Sequence, residues 1–136
     1  MSCIFCDIIN GNLNAEILFK NSLITVVLDS DPINDGHILI MPNKHKKDLE
    51  ELDESEIIEI GKMSKEFVKI LKHVFNPDGY SIMQNGGIFN DIGHYHYHIF
   101  PRNKDDKFGW KYGDSKKEDI KEIKKRYLGV INNRLG

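Results

Sequence analysis

His94-Tyr95-His96-Tyr97-His98 is the stretch on which the reading of this chain turns. It is β-prone, bounded by Gly93 and Pro101, and predicts a strand from His94 to Phe100. Side chains of a strand alternate faces, so the three imidazoles share one face at about 7 Å spacing while Tyr95, Tyr97 and Ile99 share the other. A core gains little from three stacked imidazoles, because each raises the cost of its neighbour becoming charged. Two chemistries use such a row. A His-X-His pair can reach one metal ion with a third ligand from elsewhere. Alternatively, one imidazole is a nucleophile toward phosphorus while its neighbours supply hydrogen bonds and a proton. His94 and His98 lie about 13 Å apart in a regular strand, too far to share an ion, which favours a division of roles.

Outward from this row, the pattern predicts four more strands. Ile17 to Lys20 and Ser22 to Asp29 form a hairpin around Lys20-Asn21. A turn-rich loop, Asp31 to Gly36, leads into His37 to Met41, which Pro42 terminates. Tyr80 to Asn85 is the remaining strand. Asp53 followed by Glu56 is a capping signal, and Ile57, Ile60, Met63, Phe67, Ile70, Leu71 and Val74 then recur at helical spacing until Asn76-Pro77. A short helix precedes Asn10-Gly11, and Ser115 with Glu118 predicts the start of a C-terminal helix. The fold class is therefore α+β: a mostly antiparallel five-stranded sheet, one long helix, a short N-terminal helix and a C-terminal helix. The polar stretch 103–114, with its embedded Phe108, Trp110 and Tyr112, is expected to pack on the same body as the rest of 103–136.

The chain has 136 residues, 40% apolar, 29% charged and 10% aromatic, which suits one globular domain and excludes a disordered tail or a coiled coil. No apolar run approaches the ~20 residues of a bilayer crossing, and no basic segment followed by an apolar run marks a secretory signal. A cytoplasmic protein without a membrane partner is expected. The net charge of -2 conceals an asymmetry: residues 1–102 carry 9 basic against 15 acidic residues, and 103–136 carry 10 against 6. The basic residues of 116–126 alternate with acidic ones, as on a solvated helix face, so a nucleic acid partner is not expected. Cys3 and Cys6 stand at Cys-X-X-Cys spacing, which leaves a metal half-site, a redox pair and two buried thiols open.

Gly93-His94-Tyr-His96-Tyr-His98-Ile-Phe-Pro101 resembles the His-X-His-X-His-X-X signature of the histidine-triad family. The resemblance extends to Cys3-Ile-Phe-Cys6-Asp, to Asp29, to Gly36-His37-Ile-Leu-Ile-Met-Pro42-Asn-Lys-His45 and to Asn85-Gly86, in the family's order over residues 3–102. It implies a histidine-triad nucleotide-binding domain over 1–102. It further implies hydrolysis or transfer at the α-phosphate of a purine nucleoside phosphoramidate or dinucleoside polyphosphate, through a nucleotidyl-histidine intermediate.

By the same resemblance His96 is the nucleophile and His98 faces the phosphate. Asn85 and His37 border the phosphate region, with the acceptor for the second His96 nitrogen expected in the loop around His37. Asp29 accepts from the ribose hydroxyls. Ile4, Phe5, Ile8, Val27 and Leu28 line the base pocket. Charge neutralisation by such donors does not require magnesium. Bacterial members with the cysteine pair complete a structural zinc with the histidine after Pro-X-Lys and the first triad histidine, which maps to Cys3, Cys6, His45 and His94. A homodimer with paired sheets is also implied. His73, late in the long helix, is read as structural. Where many members carry Gly-Gln-Ser or Gly-Gln-Thr before the triad, this chain has Asn90-Asp91-Ile92-Gly93, which leaves the leaving group open. Two rival readings are a nucleotide-binding regulatory protein with little turnover and a zinc hydrolase using the triad as ligands.

Overall fold

The computed structural model describes residues 2–136. Its elements in chain order are α1 (Ile4–Ile9), β1 (Ile17–Lys20), β2 (Ile24–Leu28), β3 (Ile38–Pro42), α2 (Glu54–Phe75), β4 (Gly79–Met83), β5 (Tyr97–Arg102) and α3 (Ile120–Arg134), with 3₁₀ turns at Leu49–Glu51 and Gly87–Phe89. The strands form one five-stranded antiparallel sheet in the order β1-β2-β3-β5-β4. β2 and β3 are the most apolar strands and occupy its middle, where both faces are covered.

Alternation sorts the side chains of these strands between two apolar clusters. Ile24, Val26, Ile38, Ile40 and Ile99 point to one face and meet Ile60, Phe67 and Leu71 of α2. Val27, Leu39 and Met41 point to the other face and meet Phe5, Ile8 and Ile9 of α1. Each such side chain contributes about 1.5–3 kcal/mol through burial. A helix of six residues has almost no stability of its own, so α1 exists because the sheet buries it.

α2 begins where the sequence places it. Glu56, 2% exposed, accepts from the backbone N–H of Asp53 at 2.7 Å and from Lys46 Nζ at 2.8 Å. The helix ends at Asn76, which takes up the left-handed conformation at φ 45° ahead of Pro77. Lys46 is also the residue whose carbonyl accepts from Tyr95 N–H at 2.6 Å. The Glu56 ion pair therefore braces α2 against the histidine segment.

Several boundaries differ from the sequence reading. β2 starts at Ile24 because Asn21 Oδ1 accepts from the N–H groups of Leu23 and Ile24, both at 2.9 Å, and holds them in a turn. β5 starts at Tyr97, so His94 and His96 precede the paired strand; Gly93 at φ 76° turns the chain there and the Tyr95 N–H is spent on Lys46. α3 starts at Ile120, capped by Asp119, whose side chain accepts from Lys121 N–H at 3.2 Å. The Ser115–Glu118 cap does not form, since the Glu118 carboxylate pairs with Arg126 at 2.8 Å. Of the loop aromatics only Phe108 packs, edge-on against Phe100 at 5.2 Å, while Trp110 and Tyr112 stand in solvent. α3 buries none of its side chains in the single chain, whereas the start of 103–136 is joined to the body through Lys104, Asp106 and Phe108.

Glu56→Ala removes the cap of α2 and leaves Lys46 without its buried partner. A loss of about 2 kcal/mol is expected in urea unfolding, against less than about 0.5 kcal/mol for the exposed Glu66→Ala.

Candidate functional site

The α1 face of the sheet carries a cleft of about 750 Å³ where α1, the chain leading into β1, the end of β2 and the histidine segment meet. Ile4, Phe5, Ile8, Val27, Leu28, Asp29, His96 and His98, all expected at a nucleotide site, line it together. The alternation read from the sequence holds across the segment: His96 and His98 face the cleft while Tyr95 and Ile99 join the α2 core. The rings of His96 and His98 stand 4.8 Å apart between centroids.

Hydrogen bonding determines which ring nitrogen carries the proton in each histidine. His94 Nε2 lies 2.8 Å from the carbonyl of Pro42, and His96 Nδ1 lies 2.8 Å from the carbonyl of His94. A carbonyl only accepts, so both nitrogens bear protons. In the neutral rings His94 Nδ1 and His96 Nε2 are then the nitrogens that carry the lone pairs. The acceptor for His96 is thus the triad's own backbone, not the loop around His37 as expected.

His37 occupies a different place from the one expected. It is 2% exposed, does not line the cleft, and sits behind His98. Its Nδ1 accepts from Ile33 N–H at 3.0 Å, so its proton is on Nε2, which donates to His98 Nδ1 at 2.9 Å. His98 is left with its own proton on Nε2. Asp29 Oδ2, 3.5 Å from His37 Nε2, adds a weaker attraction. Burial, and then the neighbouring His96 and His37, lower the His98 pKa from 6.5 to about 4, so the ring is neutral at pH 7. Burial also lowers His37.

At the N-terminal end of the segment, Cys3 Sγ lies 3.4 Å from His94 Nδ1, and Cys6 Sγ lies 3.4 Å from His45 Nδ1 and 3.6 Å from His94 Nδ1. These four atoms all fall within 4.8 Å of one another. Tetrahedral bonds of about 2.3 Å to sulfur and 2.05 Å to nitrogen give sulfur–nitrogen edges of roughly 3.5 Å, which these separations match. His94 presents its unprotonated nitrogen to the cluster and is held by Pro42, as a metal ligand is oriented by its second bond. Cys3 Sγ accepts from Cys6 N–H at 3.4 Å, and the ring of Phe5 meets both His94 and His96 edge-on, at 5.8 and 5.1 Å between centroids. The donor set fits a closed Cys₂His₂ metal centre.

Asn85 is exposed in the loop after β4 and does not line the cleft; its carbonyl accepts from the Gln84 side chain at 2.7 Å. The segment before the triad is resolved residue by residue. Asn90 is 6% exposed and holds the loop, donating to the Lys47 carbonyl at 2.9 Å and accepting from Gly93 N–H at 3.0 Å, whereas Asp91 lines the cleft. Leu13, Asn14, Ala15, Glu16, Leu39 and Ile92 also line it and were not anticipated. The hairpin register carried a signal for part of this set: extending the Ile17–Val27 pairing backward brings Glu16 to Leu28, where the Glu16 carbonyl accepts from Leu28 N–H at 2.9 Å.

A five-stranded antiparallel sheet with three helices and this row of histidines defines a histidine-triad protein. The model of the HIT domain matches residues 10–105, and the chain belongs to that family. A HIT-like protein of Methanocaldococcus jannaschii is 36% identical over 93% of this chain and 99% of its own. The adenosine 5′-monophosphoramidase of Schizosaccharomyces pombe is 30% identical over 90% of this chain and 93% of its own. The crystal structure of a HIT family protein from Bacillus anthracis superposes with a TM-score of 0.86 at 26% identity, covering 99% of this chain and 98% of that one. The family match begins after Cys3 and Cys6, so the candidate metal centre joins the matched region to residues outside it. No helix among the described residues is long and apolar enough to cross a membrane.

Because the folded state depresses the His98 pKa, the unfolded chain takes up a proton between pH 6.5 and about 4 that the folded chain refuses. The His98 contribution to stability is full above pH 6.5 and is lost as the pH falls toward 4. Urea midpoints across this window are expected to fall less steeply in His98→Asn than in the wild type.

Proposed function

We propose that this chain hydrolyses a purine nucleoside 5′-phosphoramidate at the α-phosphate through a nucleotide covalently held on His96. The observation that carries this reading is the pair of opposed ring nitrogens at the cleft: the His96 Nε2 lone pair and the His98 Nε2–H. A neutral imidazole nitrogen is a competent nucleophile at pH 7. The adenosine 5′-monophosphoramidase among the relatives supports the substrate class.

In the first step His96 Nε2 attacks the α-phosphorus and the bond from phosphorus to the leaving nitrogen breaks. The electron pair remains on that nitrogen, which takes a proton from water in the open cleft. The resulting hydroxide then attacks phosphorus, the bond to His96 breaks, and its electron pair returns to Nε2. One water is consumed, its proton on the amine and its hydroxyl on the nucleotide. Throughout, the His94 carbonyl holds the positive charge that develops on His96 Nδ1–H, and His98 Nε2–H donates to a phosphate oxygen. Asp29 and the α1 face, with Ile4, Phe5, Ile8, Val27 and Leu28, hold the ribose and the base. No step requires magnesium.

Zinc is the metal that suits Cys3, Cys6, His45 and His94, and it would serve as a closed structural tie between α1 and the histidine segment. Two thiols kept as zinc ligands fit a reducing, cytoplasmic compartment. The family resemblance carries a homodimer with paired sheets, and β4, at the sheet edge with Tyr80 and Ile82 half-exposed, is the strand offered for it.

Incubation with adenosine 5′-phosphoramidate in magnesium-free buffer is expected to give a nucleotidyl adduct by intact mass. His96→Ala is expected to lack the adduct and lose about 10³-fold or more in turnover. Turnover without His96 dependence contradicts the proposal, and nucleotide binding without any adduct favours a regulatory protein. Metal analysis is expected to return one zinc per chain, with Cys6→Ser losing both the metal and several degrees of melting temperature.

A further inference from the structure

The segment before the histidines, Asn90-Asp91-Ile92-Gly93, is where this chain departs from the usual family pattern, and the departure is chemical. Asn90 is withdrawn into the loop by its bonds to Lys47 and Gly93, so Asp91 is the polar side chain of that segment that lines the cleft with His96 and His98. A polyphosphate leaving group needs cations to offset its charge. Among the described residues no Lys or Arg lines this cleft, whereas Glu16, Asp29, Asp31 and Asp91 do. Asp29 and Asp31 belong to the β2–β3 connection, with Asp29 Oδ1 committed to Asp31 N–H at 2.9 Å. Asp91 belongs to the histidine loop itself. Asp91 and His98 line the same cleft, and Asp91 is exposed there.

We propose that Asp91 selects the leaving group: the preferred substrate is a nucleoside monophosphate joined through nitrogen to a group that carries a positive charge, such as an alkylammonium. This deepens the phosphoramidase reading and rests on it. After the phosphorus–nitrogen bond breaks, the departed amine takes a second proton from solvent at neutral pH and becomes an ammonium, so an alkylammonium arm places two cationic centres on the product. Asp91 attracts both. A pyrophosphate or longer leaving group meets the same carboxylate as a like charge. An ion pair in a partly exposed cleft is worth about a factor of five in selectivity.

The test compares adenosine 5′-phosphoramidates of 3-aminopropylamine and of butylamine, near isosteres that differ in one charge. The wild type is expected to favour the charged compound in kcat/KM by about fivefold, and Asp91→Asn is expected to bring the ratio near one. Asp91→Glu is expected to retain the preference, and Asp91→Lys to reverse it. The same ratio is read a second time as Kd for the two compounds in the His96→Ala background, with and without Asp91→Asn, which does not depend on turnover. A charged-to-neutral ratio unchanged by Asp91→Asn in both readouts overturns the inference while leaving the phosphoramidase reading intact. Loss of His96-dependent turnover with the binding ratio preserved overturns the phosphoramidase reading and leaves the charge selectivity of Asp91 standing.

Discussion

Four imidazole rings each have one nitrogen tied to a fixed partner, and the chemistry of the cleft follows from that constraint. Pro42 and His94 offer carbonyls to His94 Nε2 and His96 Nδ1, while the Ile33 N–H reaches His37 Nδ1. Each contact settles a tautomer, and each tautomer sends the other nitrogen outward in a defined state: a lone pair toward the cysteines from His94, a lone pair into the cleft from His96, and a proton into the cleft from His98. A neutral imidazole can donate or accept at a given nitrogen, and three equivalent rings could have been arranged in several ways. The backbone leaves one arrangement.

The sheet supplies these contacts because it is covered on both faces. α2 fills one side, so the side chains at Tyr95 and Ile99 are drawn to it and the alternate positions His96 and His98 are turned to the other. On that other side α1 has only six residues, and its apolar face meets β2 and β3 through Phe5, Ile8 and Ile9. The cysteines flank and enter this helix, and Phe5 touches both His94 and His96. A metal held by Cys3, Cys6, His45 and His94 would therefore fix α1, a wall of the cleft, and the neighbour of His96 with a single tie.

Much of this was legible in the sequence because it is written in local periodicity. The period-two row at 94–98 foretold which histidines face together, the Asp53–Glu56 pair foretold the start of α2, and Cys-X-X-Cys left open the metal half-site that Cys3 and Cys6 could form with His45 and His94. What escaped depends on atoms distant in the chain. His37 reads as a strand residue beside the phosphate, yet its place behind His98 is set by the pairing of β3 with β5, in which Leu39 faces His98. Asn90 and Asp91 are adjacent and both polar, and the Lys47 carbonyl, 43 positions from Asn90, helps withdraw Asn90 into the loop while Asp91 stays exposed at the cleft. The start of α3 escaped for a local reason: two capping residues, Ser115 and Asp119, compete, and the pairing of Glu118 with Arg126 leaves the helix to Asp119.

Long-range ¹H–¹⁵N correlation of uniformly labelled protein at pH 7 observes the protons on these ring nitrogens directly. His96 is predicted as the Nδ1–H tautomer with an unprotonated Nε2, and His37 and His98 as Nε2–H tautomers with His98 neutral. Removal of the His37 partner in His37→Ala is predicted to leave His96 unchanged and to free His98 to populate both tautomers. An Nε2–H signal on His96, or a cationic His98 at pH 7, would contradict the account.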